Sequence, residues 1–93
     1  MIVSFKCKET KKIYELIGSR KIAVGIQEVA LRKLKMLNAS VNLDDLRIPP
    51  ANRLESLKGR RKGQFSIRIN DQWRICFTLK NGNAYDLEIV DYH

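Results

Sequence analysis

The chain has 93 residues, with 18 Lys+Arg against 10 Asp+Glu and a formal charge of +8. That length leaves room for one small domain, expected over residues 1–93, whose core must draw on nearly every apolar position. No apolar run approaches the roughly 20 residues that span a bilayer, and the opening Met1-Ile2-Val3-Ser4-Phe5-Lys6 lacks the basic-then-apolar order of a signal peptide. The expectation is a cytoplasmic protein with no membrane partner, whose field favours nucleic acid or another polyanion.

Ile2 to Lys6 alternates as a short strand, with Val3 and Phe5 on one side. Between Glu9 and Ile17 the apolar residues Ile13, Tyr14, Leu16 and Ile17 fall at helical spacing, and Gly18-Ser19 supplies a stop. From about Val24 to Ala39, Ile26, Ala30, Leu34 and Leu37 recur at intervals of four, four and three, with Val29 widening the stripe. This is the best helix in the chain, and its other face carries Arg32, Lys33 and Lys35. That face reads either as a solvated surface or as one that tracks phosphates.

Asn42 to Ile48 predicts one helical turn, with Asn42 as cap and Asp44 and Asp45 at its positive end. Pro49-Pro50 ends it, forces an extended stretch and separates a helical half from a strand-rich half. Phe65 to Ile69 alternates as a strand, Asn70-Asp71 offers a turn, and Gln72 to Leu79 forms the next strand. Lys80-Asn81-Gly82-Asn83 carries the Asn-Gly signal of a tight hairpin before a last strand that ends at Val90. The fold class predicted from these elements is α+β, with a helical pair packed on a small, mainly antiparallel sheet.

Cys7 and Cys76 belong to no Cys-x-x-Cys pair, and Cys76 lies within a strand as a small buried hydrophobe. One histidine and two separated cysteines, with no Asp/Glu cluster at ligand spacing, do not easily complete a four-ligand zinc site, so the expectation is metal-free chemistry without a cofactor. Trp73 reads as a core anchor, whereas Tyr92, beyond the last strand, is open to stacking on a base.

The segment from Arg53 to Gly63 holds Arg53, Lys58, Arg60, Arg61 and Lys62, with two glycines that let backbone approach a ligand. It reads as a solvated basic loop or as a phosphate contact. The only histidine is His93, within Asp91-Tyr92-His93. A histidine is the usual proton carrier at neutral pH. A meander of the last three strands sets Arg74 beside the end of the last strand, and alternation aims either Arg68 or Arg74 at the terminal residues.

Three stretches carry a family resemblance: Asn52-Arg53-Leu54-Glu55-Ser56-Leu57-Lys58-Gly59; the run from Gly63 to Phe77 with Trp73-Arg74-Ile75-Cys76-Phe77; and Glu88-Ile89-Val90-Asp91-Tyr92-His93. Together with the Ile-x-Ser-Phe opening, the long second helix and the chain length, they resemble the HigB family of bacterial toxins, within the RelE/ParE superfamily and closest to its GraT-like branch. The resemblance implies a RelE-like microbial RNase fold and a ribosome-dependent endoribonuclease that cuts mRNA without a metal. It also implies neutralisation by a HigA-type helix-turn-helix antitoxin, through which alone the toxin would meet operator DNA. By the same pattern Lys58 and Arg74 hold the scissile phosphate, while Asp91, Tyr92 and His93 serve proton transfer and positioning. Arg53, Arg60, Arg61, Lys62 and Arg68 are the expected RNA-binding residues. Gln72 stands where some relatives carry asparagine, and Glu55 where another branch carries histidine, so both are open to a catalytic or positioning role. Two rivals explain the charge alone: a noncatalytic RNA- or DNA-binding module, and a protein-interaction module with a basic face.

Overall fold

A computed structural model describes residues 1–91. Three helices, α1 (Lys8–Tyr14), α2 (Val24–Ala39) and the single turn α3 (Asp44–Arg47), precede four strands. The strands β1 (Glu55–Ser56), β2 (Phe65–Arg68), β3 (Trp73–Lys80) and β4 (Asn83–Asp91) form an antiparallel meander in sequence order. Among the described residues no helix is long and apolar enough to cross a membrane.

The α2 stripe is buried as its spacing predicts: Ala30, Leu34 and Leu37 are fully covered and Ile26 nearly so. They meet Ile67, Ile69, Ile75, Phe77, Leu87 and Ile89 from the sheet, with Ile13 and Leu46 closing the edges. Each of the Leu, Ile and Phe side chains contributes about 1.5–3 kcal/mol when fully buried. Directly paired residues of antiparallel strands share a face. The pairs Phe65–Phe77 and Ile67–Ile75–Ile89 therefore define the face turned to the helices, and Trp73, two residues before Ile75, packs half-buried on the same core. The opposite face carries Glu55, Ser66 and Cys76 in one row, and Arg68 and Arg74 in the next.

Three elements differ from their sequence expectation. The first segment is not a regular strand: only Ile2 and Phe5 bridge β4, in parallel, opposite Ala84 and Leu87. Between those bridges β4 bulges at Asp86, which has φ 56° and donates its N–H to Ser4 Oγ at 2.9 Å instead of to a backbone carbonyl. Helix α1 stops at Tyr14, short of Ile17, because Leu16 turns left-handed (φ 65°) and the N–H groups of Ile17 and Gly18 both return to the Lys12 carbonyl. Gln27 ties the following link by donating to the carbonyls of Ser19 and Ile22 at 2.8 and 2.6 Å. Leu16 and Ile17 are left exposed. The prolines do not give a wholly extended stretch either: Pro49 is extended, but Pro50–Asn52 is a turn of 3-10 helix, with Pro50 at its first position where its missing N–H costs nothing.

The one-turn helix and the hairpin follow expectation. Asn42 Oδ1 accepts from the Asp45 N–H at 3.2 Å, while the Asp45 carboxylate accepts from the N–H groups of Val41 and Asn42. Asn81 and Gly82 both adopt positive φ, 53° and 78°, between the paired ends Lys80 and Asn83. A Cβ on Gly82 would lie 2.8 Å from the Val41 carbonyl oxygen, so the turn is seated against the end of α2. Gly82→Ala is expected to destabilise the fold by about 1–3 kcal/mol through strain and this clash. Urea unfolding checks it; an unchanged midpoint would mean that the hairpin does not dock there.

Candidate active site

Sheet pairing begins earlier than the sequence suggests. β1 comprises only Glu55 and Ser56, too short and too polar to show alternation, yet it pairs with Ser66 and Phe65, and the Leu57 N–H continues to the Gln64 carbonyl at 2.9 Å. Leu57 is buried, which anchors the chain just before Lys58. Lys58 is extended and exposed, and Gly59 (φ 65°) then turns the backbone into a 3-10 turn over Gly59–Arg61. An open cleft of about 370 Å³ results, lined by Glu55, Ser56, Leu57, Lys58 and Arg61.

Arg74 stands next to Glu55, one of the residues that line this cleft. It is only 7 % exposed, an unusual degree of burial for a guanidinium. Its Nε donates to Ser66 Oγ at 2.8 Å, and its Nη2 donates to the carbonyls of Arg53 and, at 3.3 Å, Ser66. Its Nη1 lies 3.9 Å from Glu55 Oε1, at the cleft wall. Glu55 and Lys58 thus line one cleft, and the Glu55 carboxylate links it to the Arg74 guanidinium.

The other candidates are distributed around this centre. Arg61 borders the cleft but also donates to Glu88 at 2.8 Å and to Gln64 at 3.1 Å. Arg68, on the Arg74 face, is ion-paired with Asp71, and that hydrogen bond and the Arg68 charge hold the Asp71 carboxyl below its usual range. Arg53 has a left-handed backbone (φ 43°), and Arg53, Arg60 and Lys62 are exposed. Gln72 Nε2 donates to Asp91 Oδ2 at 3.1 Å, joining the start of β3 to the end of β4 one pair beyond Arg74–Val90. Tyr92 and His93 lie outside the described residues.

One expectation about the basic surfaces changes. Lys33 does not project from the outer face of α2; its ammonium donates to the Oδ1 of the fully buried Asn52. Burial, then the charges of Arg32 and Arg68, lower its pKa. Arg32 and Lys35 remain exposed. Sequence reasoning also passed over Ser66 and Asn52. Ser66 looked like an ordinary outward residue of an alternating strand, but it is fully buried under the Arg74 guanidinium. Beside it Cys76 is fully buried, and burial pushes its thiol pKa up. Among the described residues no three His, Cys, Asp or Glu side chains gather as metal ligands.

The fold and sequence have clear relatives. The chain is 42 % identical over 85 residues to Toxin HigB-1 of Vibrio cholerae, covering 90 % of each chain. It is 32 % identical over 93 residues to Endoribonuclease HigB of Proteus vulgaris, covering all of both. Among solved structures, YoeB–YefM from Staphylococcus aureus aligns with TM-score 0.58 at 16 % identity over all of this chain and 98 % of the other. YafQ from E. coli aligns with TM-score 0.57 at 13 % identity over 98 % and 93 %. These two share the α+β fold found here. The model of the HigB-like toxin family, RelE-like toxins of type II toxin-antitoxin systems, matches residues 3–93, and the chain belongs to that family.

Proposed function

We propose that this toxin is a cytoplasmic, ribosome-dependent endoribonuclease that cuts mRNA without a metal, inhibits translation, and is held inactive by a HigA-type helix-turn-helix antitoxin. The activity is the one that names the Proteus vulgaris relative, and an antitoxin partner accords with the family. The observation that carries the reading is an open cleft lined by Glu55 and Lys58, with the buried Arg74 guanidinium 3.9 Å from the Glu55 carboxylate.

The chemistry requires in-line attack of an RNA 2′-OH on the adjacent phosphorus, with loss of the 5′-oxygen and formation of a 2′,3′-cyclic phosphate. One proton must be accepted, one donated, and charge on the phosphoryl oxygens stabilised. Arg74 serves the last task as a fixed fork and Lys58 as a mobile point charge. In this reading Glu55 accepts the 2′-OH proton, and His93, the only imidazole of the sequence, gives a proton to the leaving 5′-oxygen. Asp91 and Gln72 brace the end of β4, and Tyr92 contributes a stacking surface. Arg60 and Lys62, exposed beside the cleft, with Arg53 and Arg68, steer RNA by charge.

Purified protein incubated with ribosomes carrying a defined mRNA, with the same mRNA free in parallel, tests this. Cleavage with cyclic-phosphate ends is expected on the ribosome, and at least about 10²-fold slower on free mRNA, where the ribosome's orientation is lost. Equal rates would remove ribosome dependence. RNA binding without cutting in either case would leave a noncatalytic module.

A further inference from the structure

Arg74 is held from two sides by groups that have no role in proton transfer. On one side stands Ser66, fully buried on the sheet face away from the core, its hydroxyl 2.8 Å from Nε. On the other stands the Arg53 carbonyl, which accepts from Nη2. That carbonyl is itself set by a left-handed turn at Arg53, following a fully buried Asn52. The Asn52 amide donates to the Leu46 carbonyl at 3.0 Å and to Met36 Sδ at 3.1 Å, and its Oδ1 accepts from Lys33. Hydrogen bonds at both Nε and Nη2 restrain rotation about the Cδ–Nε bond, so Nη1 is held toward Glu55 at the cleft wall.

We propose that Ser66 is a positioning residue: its hydroxyl, opposed by the Arg53 carbonyl, fixes the plane of the Arg74 guanidinium so that its Nη1 edge meets the phosphate without reorganisation. Donors already aimed at the place where charge develops stabilise a transition state more than donors that must first be oriented. The inference rests on the phosphate role given to Arg74 above, and a double-mutant cycle separates the two.

Ser66→Ala, Arg74→Ala and the double variant are compared in cleavage on programmed ribosomes, with kcat and KM measured separately. Ser66→Ala is expected to lower kcat about tenfold, as loss of a hydrogen bond to a charged group does, with KM within about twofold. In the Arg74→Ala background the same change should alter kcat by less than about twofold, because its target is gone. Ser66→Thr, which keeps the hydroxyl, should restore kcat to within about threefold of the parent. An equal fall in both backgrounds, or none in either, overturns the inference alone. An unchanged kcat in folded Arg74→Ala overturns the phosphate role and the inference together.

Should Ser66→Ala fail to fold, the parent supplies the measurement. With isotope-labelled arginine, the Arg74 Nε–H is expected to exchange with water more slowly than that of exposed Arg60, and rapid exchange at both overturns the proposal.

Discussion

Arg74→Ala is expected to lower kcat on programmed ribosomes by about 10²- to 10³-fold, the usual cost of removing one preorganised donor from developing charge. It also carries a stability cost of about 1–3 kcal/mol, for a reason that belongs to the fold. The Ser66 hydroxyl and the Arg53 carbonyl are turned toward the guanidinium, and its removal strands acceptors in a buried setting. The contact to Glu55 adds little to that cost, since it spans 3.9 Å and Glu55 is half exposed. Arg74→Lys distinguishes the two effects. It retains a charge, but a single ammonium cannot bridge Ser66 and Arg53 while also facing the cleft. It should therefore recover part of the stability and little of the rate. Single-turnover cleavage together with urea unfolding of each variant checks both numbers; a folded Arg74→Ala with parental kcat would reduce Arg74 to a structural brace.

How much of this was legible in the sequence depends on how local the cause is. Ile26, Ala30, Leu34 and Leu37 announce their helix because one covered face needs only helical spacing. Asn81-Gly82 announces its turn because two consecutive positive φ angles admit few residue pairs. Leu16 and Ile17 mislead for the complementary reason: their spacing fits a helix, but Gln27 and Glu9, on the two flanking helices, fasten the link elsewhere, Glu9 by accepting from the Ser19 hydroxyl at 2.5 Å. The bulge at Asp86 is likewise invisible from β4 alone, because its partner is Ser4 at the other end of the chain.

The site divides along the same line. The residue types that phosphate chemistry requires could be named from charge and family likeness; Glu55 and Lys58 line one cleft, and Arg74 lies 3.9 Å from Glu55. Their supports could not be named. Ser66 reads as a solvent-facing strand residue until register sets it beneath Arg74, and Lys33 reads as part of a solvated helix face until Asn52 draws it inward. β1, the strand that carries Glu55 into the cleft, is two residues long and gains its identity only from β2.

The proton steps give the second large effect. His93→Ala is expected to lower kcat by about 10²- to 10⁴-fold, the range for loss of a general acid or base, with ribosome affinity unchanged because the cationic cleft is untouched. The reasoning is chemical: cleavage moves two protons, and this chain has a single imidazole. Glu55 presents a carboxylate 3.9 Å from Arg74, so Glu55→Gln, which keeps the shape and removes the proposed base, is the matching variant. If the two act as one acid-base pair, the double variant loses little beyond the worse single, because either loss already disables the concerted transfer. Losses that multiply would mean that each acts in a separate step. A His93→Ala protein within about threefold of the parent, below what any general acid supplies, would transfer the second proton to the ribosome and leave Glu55 as the chain's own contribution.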